Sequence, residues 1–148
     1  MQSTAPHTGL PRRLCATPTT SGLLLGPDPH HIGAARRWAV QATRTRPGLA
    51  EDVRIVVSEL VTNALRHSAS GLPGGHVLVE LERTHHLELR VTDDGPRPGT
   101  AATVPTVPDQ DPLRPGGLGL RLVEAVCTRW DWTQTPDGRT TVRAVFHR

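Results

Sequence analysis

One segment carries three polar side chains at a spacing that could hold a hydrated metal ion. Glu59, Asn63 and His67 stand four residues apart, so on an α-helix they form one polar stripe beside an apolar arc. A carboxylate and an amide one turn apart can hold a water and a divalent cation next to a phosphate. The alternative is that these side chains bond to a neighbouring loop or to each other, since polar groups at a core margin need partners.

A second polar site follows a predicted strand, in the run Val91-Thr92-Asp93-Asp94-Gly95. A carboxylate at a strand end, such as Asp93, can accept a hydrogen bond from an exocyclic amine, for example that of adenine. The glycine lets a ligand approach the backbone. The same residues are also typical of an ordinary Asp-Asp-Gly turn, so both interpretations stay open.

A third feature is the glycine-rich turn Gly116-Gly117-Leu118-Gly119-Leu120, which opens a predicted helix. Free backbone N–H groups and the positive end of a helix favour a phosphate at such a position. A glycine cluster at a helix start can equally serve as a flexible hinge.

Three helices and five strands are predicted to position these residues. Apolar residues recur at the helical period in three stretches, residues 30–46, 49–67 and 118–128. Alternating runs predict five strands, at residues 21–25, 77–81, 87–91, 130–135 and 140–147. Pro47-Gly48 is expected to end the first helix. Because helices and strands are grouped rather than alternating, the expected fold class is an α+β two-layer sandwich.

A length of 148 residues fits one domain. Residues 1–20 lack periodicity and are rich in Thr and Pro, so we expect a disordered leader followed by a single domain over residues 21–148. Residues 95–115 contain six prolines and almost no periodic pattern. They are predicted to form a long loop, and loops of that length are usually functional lids or disordered.

Composition excludes several classes of protein. All 17 basic residues are Arg, so neither a phosphate-loop NTPase nor a Schiff-base enzyme is expected, because both need Lys. Few aromatic residues argue against a stacking platform for single-stranded nucleic acid. Residues 1–48 carry six Arg against one Asp, whereas residues 49–148 carry eleven Arg against thirteen carboxylates. The basic charge is thus local, which disfavours a nucleic-acid partner.

The two cysteines, Cys15 and Cys127, are far apart, so neither a disulfide framework nor a cysteine zinc site is indicated. No apolar run reaches the length of a signal peptide or of a membrane span. We therefore expect a soluble, cytoplasmic protein without a membrane partner.

The order of the three features resembles that of the Bergerat-fold (GHKL) ATPases, which include histidine-kinase ATP domains. The resemblance rests on the helix motif from Glu59 to His67, on Asp93-Asp94-Gly95, and on Gly117-Leu118-Gly119-Leu120-Arg121-Leu122-Val123. It covers residues 21–148 and is strongest to small anti-sigma-factor serine/threonine kinases. It implies a mixed, mostly antiparallel sheet with helices on one face.

The resemblance also implies a role for each matching residue. Glu59 would be the general base for an attacking hydroxyl, and Asn63 the ligand of the Mg²⁺ that bridges the ATP phosphates. His67 would make a supporting contact near the phosphates or have a structural role. Asp93 would accept from the adenine amino group, with Gly95 making room for the base.

The remaining implied roles concern the loop and the strand end. Residues 95–115 would be the ATP lid, and either Thr140 or Thr141 would lie near adenine. The backbone amides at the helix start would cradle phosphate, namely those of Gly117, Leu118, Gly119 and Leu120. One departure is Arg97, which stands where the family often has a second glycine.

By this resemblance the chain would be a Mg·ATP-binding serine/threonine protein kinase of the anti-sigma-factor type. It would phosphorylate an anti-sigma antagonist, sequester a sigma factor and so regulate transcription. A homodimer is one assembly consistent with the family. The alternative function is a non-catalytic module in which nucleotide only orders a surface for a protein partner.

Overall fold

The structure, a computed structural model, describes residues 9–14, 16–100 and 118–148, with the backbone alone for Leu118 and Gly119. This part contains six strands and three α-helices: β1 (Arg12–Leu14), β2 (Thr20–Leu25), α1 (His31–Thr43), α2 (Pro47–His67), β3 (Val77–Arg83), β4 (His86–Thr92), α3 (Leu118–Val126), β5 (Arg129–Gln134) and β6 (Thr140–His147). A short 3₁₀ turn, Ala69–Gly71, follows α2. Every predicted helix and strand is present, with ends that differ by at most three residues.

The strands form one sheet in the order β1-β2-β3-β4-β6-β5. Each described pairing is antiparallel, so the sheet is more uniform than the mixed sheet that the resemblance implies. The last strand, β6, lies between β4 and β5, and its Thr141 pairs with Thr92 at the end of β4. This order brings the residues after β4 beside the start of β6.

The helices cover one face of the sheet. In β3 and β4 buried and half-buried residues alternate, which is the pattern of a sheet with one covered face. The core between the layers is aliphatic, and its largest fully buried side chains are Phe146, Leu25, Leu81, Leu87, Leu89, Val53, Val56, Val57, Val61, Val77, Val79 and Val123. The opposite face carries ion-paired side chains, among them Glu80, Glu88, Arg90, Asp131 and Arg143. The α+β two-layer sandwich is therefore confirmed.

Strand β1 lies inside the segment that we expected to be a disordered leader, while residues 1–8 lie outside the described part. The buried Arg83 explains the order of the segment after β1. Its guanidinium donates to Ser21 Oγ and Ala42 O, at 2.9 Å each, and to the carbonyls of Thr17 and Pro18 at 3.4 and 3.3 Å. This cation fastens residues 17–18 to the sheet and to the end of α1.

The connection between α1 and α2 spans residues 44–46, before Pro47, rather than the predicted residues 47–48. Helix α1 ends at Thr43, and Arg44 adopts a left-handed conformation with φ 49°. Pro47 does not end α1 but occupies the first turn of α2. Proline suits that position, because the N–H it lacks would have no helical partner there.

Within the described ranges, we find no helix with both the length and the apolar character that crossing a membrane requires.

Candidate functional site

The antiparallel pairing of β4 with β6 brings Asp93 next to Thr140. The backbone N–H of Asp93 donates to Thr140 O at 2.9 Å, and the N–H of Thr140 donates to Asp93 Oδ1 at 3.1 Å. A strand end and a strand start 47 residues apart thus share two hydrogen bonds. The strand order therefore fixes the position of this carboxylate.

The Asp93 carboxylate has one oxygen occupied and one available. Oδ1 accepts the N–H groups of Gly95 and Thr140, at 2.7 and 3.1 Å, whereas no described residue bonds to Oδ2. Burial raises the pKa of Asp93, and the nearby Asp94 charge raises it further, while the two backbone hydrogen bonds act in the opposite direction. A half-buried acceptor with one free oxygen suits a donor such as an exocyclic amine.

Asp94 has a different task from its neighbour. Its Oδ2 accepts the His76 N–H at 2.7 Å, and its own N–H donates to Ser70 Oγ at 2.9 Å. These bonds tie the turn after β4 to the segment between α2 and β3. The turn interpretation applies to Asp93 Oδ1, which accepts the N–H of Gly95 two residues on, whereas both bonds of Asp94 reach residues 18 and 24 positions away. Asp93 Oδ2 is left without a partner among the described residues.

Gly95 can only be glycine for two reasons. Its φ of 88° is a conformation that other residues rarely adopt. A Cβ at this position would also lie 2.9 Å from Gly138 O, in the turn between β5 and β6. The resemblance implies room for a base here, and the geometry adds close packing of two turns as a requirement.

A small cavity opens above Asp93. It is lined by His67, Ser68, Asp93, Gly95, Pro96, Gly138 and Thr140. Four residues singled out in the sequence therefore share one cavity, although they come from three separate segments. Its volume of about 10 Å³ holds about one water molecule, so a purine can enter only if part of the lining moves.

The stripe on α2 ends at this cavity. Glu59, Asn63 and His67 follow one face of the helix, and His67 lines the cavity. From Glu59 to His67 the helix rises about 12 Å, a length comparable to that of an extended nucleotide triphosphate. Glu59 and Asn63 are half-buried, and neither side chain has a hydrogen-bond partner in the described part of the chain. The alternative in which they bond to each other or to a neighbouring loop thus finds no contact among these residues.

The choice between Thr140 and Thr141 is decided by the register. Thr140 is buried and lines the cavity. Thr141 faces the other side of the sheet, where its hydroxyl lies 2.8 Å from that of Thr92. Successive residues of a strand point to opposite faces, so of these two residues Thr140 is the one that lies at the cavity.

The glycine-rich turn is described only from its helical part. Gly117 lies outside the described residues, as do residues 101–115 of the predicted lid, whereas Leu118 and Gly119 form the first turn of α3. Leu120 packs against the core, and α3 contacts α2. The start of α3 is thus carried by a helix that packs on the helix bearing Glu59 and Asn63.

Sequence reasoning missed Ser68. It caps the end of α2, since its Oγ donates to Ala64 O at 2.6 Å and accepts the Ser70 N–H at 3.1 Å. It also lines the cavity. A serine directly after a helix motif is the pattern of a local cap, and that pattern could have indicated it.

The side chains present fit a nucleotide and its metal ion. The free Asp93 oxygen suits an amino donor, and Asn63 offers an amide oxygen of the kind that Mg²⁺ prefers. In the described ranges no three His, Cys, Asp or Glu side chains gather as a metal cage. Mg²⁺ commonly has few protein ligands and takes the rest from phosphates and water, so Asn63 would act together with a bound triphosphate.

Comparison with known proteins agrees with this geometry. Residues 25–146 match the histidine kinase-like ATPase domain family. The match spans most of the chain, so the chain belongs to this family, and the resemblance drawn from the sequence is confirmed. Membership of this ATPase family implies that the chain uses ATP.

Several similar proteins carry one name, serine-protein kinase RsbW. That of Listeria monocytogenes serotype 4a (strain HCC23) is 31% identical over 115 residues, covering 70% of this chain and 73% of that protein. The Listeria innocua protein is 30% identical over 115 residues, with the same coverage. The Oceanobacillus iheyensis protein is 29% identical over 109 residues, covering 66% of this chain and 68% of that protein.

Proposed function

We propose that this protein is a Mg·ATP-dependent serine/threonine protein kinase of the anti-sigma-factor type. The observation that carries the proposal is the cavity shared by His67, Asp93, Gly95 and Thr140 at the end of the Glu59–Asn63 stripe. Similarity to proteins named serine-protein kinases supports transfer to serine in particular.

In this proposal the adenine amino group donates to Asp93 Oδ2. Oδ1 is already held by two backbone N–H groups, so the carboxylate cannot turn away from the base. Thr140 and Gly95 form the adjoining surface of the cavity. The triphosphate then extends along α2, past His67 toward Asn63 and Glu59.

The residues on α2 supply the chemistry of transfer. Glu59 accepts the proton of the substrate hydroxyl, and the oxygen of that hydroxyl bonds to the γ-phosphorus of ATP. At the same time the bond from the γ-phosphorus to the bridging oxygen of the leaving ADP breaks. Asn63 would hold Mg²⁺, which would offset the negative charge on the phosphate oxygens. Backbone N–H groups at the start of α3, those of Leu118, Gly119 and Leu120, receive the phosphates, and the N–H of Gly117, which lies outside the described residues, is proposed to join them.

The protein partners in this proposal are an anti-sigma antagonist, which receives the phosphoryl group, and a sigma factor, which the kinase sequesters. A homodimer is the assembly proposed for the kinase itself. In this proposal the kinase acts in the cytoplasm.

The test is transfer of label from γ-³²P-ATP to a purified anti-sigma antagonist. Glu59→Gln keeps the size of the side chain but removes the base, so transfer should fall by at least about 100-fold, at the lower end of general-base effects. Glu51→Gln is the matched control, because Glu51 lies exposed on the same helix and Arg54 is its side-chain partner among the described residues.

The outcomes separate the functions. Label that disappears with Glu59→Gln supports the kinase. ATP binding without any transfer supports the non-catalytic module, and a wild-type chain that does not bind ATP contradicts both.

A further inference from the structure

The carboxyl end of α2 presents carbonyl groups that the helix itself cannot satisfy. The last four carbonyls of any α-helix lack an N–H partner within the helix. The Ala69 N–H, which could have continued the helix to Leu65 O, donates instead to Gly95 O at 2.8 Å. Leu65 O therefore needs a donor from elsewhere in the molecule.

Arg97 supplies that donor. Its Nη2 donates to Leu65 O at 3.1 Å, and its Nε donates to Ser68 O at 3.0 Å. In the described part of the chain it has no carboxylate partner, so its charge serves the helix end. A cation at a helix C-terminus is stabilising because the carbonyl dipoles point toward it.

These two bonds join the two walls of the cavity. Ser68 lines one side, and Pro96, directly before Arg97 in the chain, lines the other. Gly71 packs so close that a Cβ there would lie 2.0 Å from Leu65 O and 3.2 Å from Arg97 Nη2. The guanidinium is thus seated in a close-packed junction.

The main chain around Arg97 is held as well. Arg97 O accepts the N–H of Thr100 at 3.0 Å and its hydroxyl at 2.6 Å. Together with the Ala69–Gly95 bond, these contacts fix the chain from Gly95 to Thr100 against the end of α2. The residue where the family often has a glycine is therefore the centre of a rigid junction.

We propose that Arg97 is a positioning residue for nucleotide binding: it holds the Gly95–Pro96 wall of the cavity against the His67–Ser68 wall. The inference rests on the proposed function, since it gives that cavity the nucleotide's base. Arg97 does not touch the reacting atoms, so its loss should weaken ATP binding and leave the transfer step nearly unchanged.

The test measures KM for ATP and kcat of the full chain in the transfer assay, together with a direct Kd for ATP. We expect Arg97→Ala to raise KM and Kd about tenfold, because the freed wall must be ordered on binding. We expect kcat to change less than about twofold, since the Glu59–Asn63 stripe lies farther along α2. Arg97→Lys should recover part of the affinity, because an ammonium can reach a carbonyl but not bridge two in a planar fork.

Arg139→Ala is the matched control, since Arg139 stands between two cavity-lining residues but directs its side chain to Asp137. Hydrogen exchange gives a readout that needs no nucleotide: the Ala69 amide should exchange faster in Arg97→Ala than in wild type. If Arg97→Ala were active with an unchanged KM, or if its kcat fell by the same factor as its kcat/KM, this inference would be overturned and the proposed function would stand. A wild-type chain that binds no ATP would overturn the proposed function with it.

Discussion

Replacing Asp93 by Asn tests the base recognition directly. Two backbone N–H groups point at Oδ1, from Gly95 at 2.7 Å and from Thr140 at 3.1 Å. In Asp93→Asn the amide oxygen must take that position, because the amide nitrogen is itself a donor. The NH₂ group then faces the cavity, where the carboxylate oxygen Oδ2 was.

The exchange turns an acceptor into a donor without changing shape. The amino group of adenine would lose a hydrogen bond to a charged acceptor, worth about 1.5 to 3 kcal/mol, and would meet a second donor. Affinity for ATP should therefore fall about tenfold to 150-fold. The 6-oxo group of GTP is an acceptor, so GTP should bind Asp93→Asn more tightly than it binds wild type.

Titration calorimetry with ATP, GTP and purine riboside triphosphate, which lacks the 6-amino group, separates the terms. Wild type should bind the purine analogue more weakly than ATP. The ratio of these two affinities should be about the same as the factor by which Asp93→Asn lowers the affinity for ATP. Asp137→Asn, an exposed carboxylate in the turn beside the cavity, should leave all three affinities unchanged. An ATP affinity of Asp93→Asn within twofold of wild type would refute the reasoning.

Three further predictions follow from single contacts. Burial raises the pKa of Asp93, so its carboxylate should be protonated, and ATP binding should weaken, as pH falls through a range above 3.8, the ordinary pKa of Asp. Calorimetry at several pH values should show this loss of affinity in wild type and not in Asp93→Asn. A loss that persists in Asp93→Asn would contradict the prediction. Gly95→Ala should lower the free energy of unfolding by about 1 to 3 kcal/mol. The loss should be larger than for Gly74→Ala, because Gly74 also has a positive φ but has open space around it. Equal losses in thermal unfolding would argue against the close contact of residue 95 with Gly138 O. Arg83→Met should lower the free energy of unfolding by at least about 2 kcal/mol, because buried carbonyls lose their donor. Arg148→Met, at the exposed chain end, should change the same free energy by less than about 0.5 kcal/mol. Similar losses in the two variants would contradict this account of Arg83.

The elements that periodicity could predict are those with long repeats. Helix α2 has an apolar arc along its 21 residues, and strand β6 was predicted with the bounds it has, Thr140–His147. Strand β1 has only three residues and no period, and the segment that follows it is fastened by Arg83, which lies more than 60 residues away in sequence. Local patterns do not carry such long-range contacts.

The site residues also divide into those that local sequence patterns predict and those that depend on long-range contacts. Asp93, Gly95 and His67 could be named from motif spacing, and they share one cavity. The separate tasks of Asp93 and Asp94 could not be predicted, because they depend on which neighbours each carboxylate meets after folding. The choice of Thr140 over Thr141 needed the register of β4 against β6, which a single sequence does not give.

Affinity and base selectivity should be separable in this protein, because different contacts hold the floor and the walls of the cavity. Asp93 and Thr140 form the floor and are held by hydrogen bonds that extend the β4–β6 pairing. The walls belong to turns, and the bonds of Arg97 join two of them. Removing the bonds of Arg97 should therefore free a wall while the acceptor stays in place. Arg97→Ala should weaken ATP and purine riboside triphosphate by the same factor, whereas Asp93→Asn should weaken ATP alone.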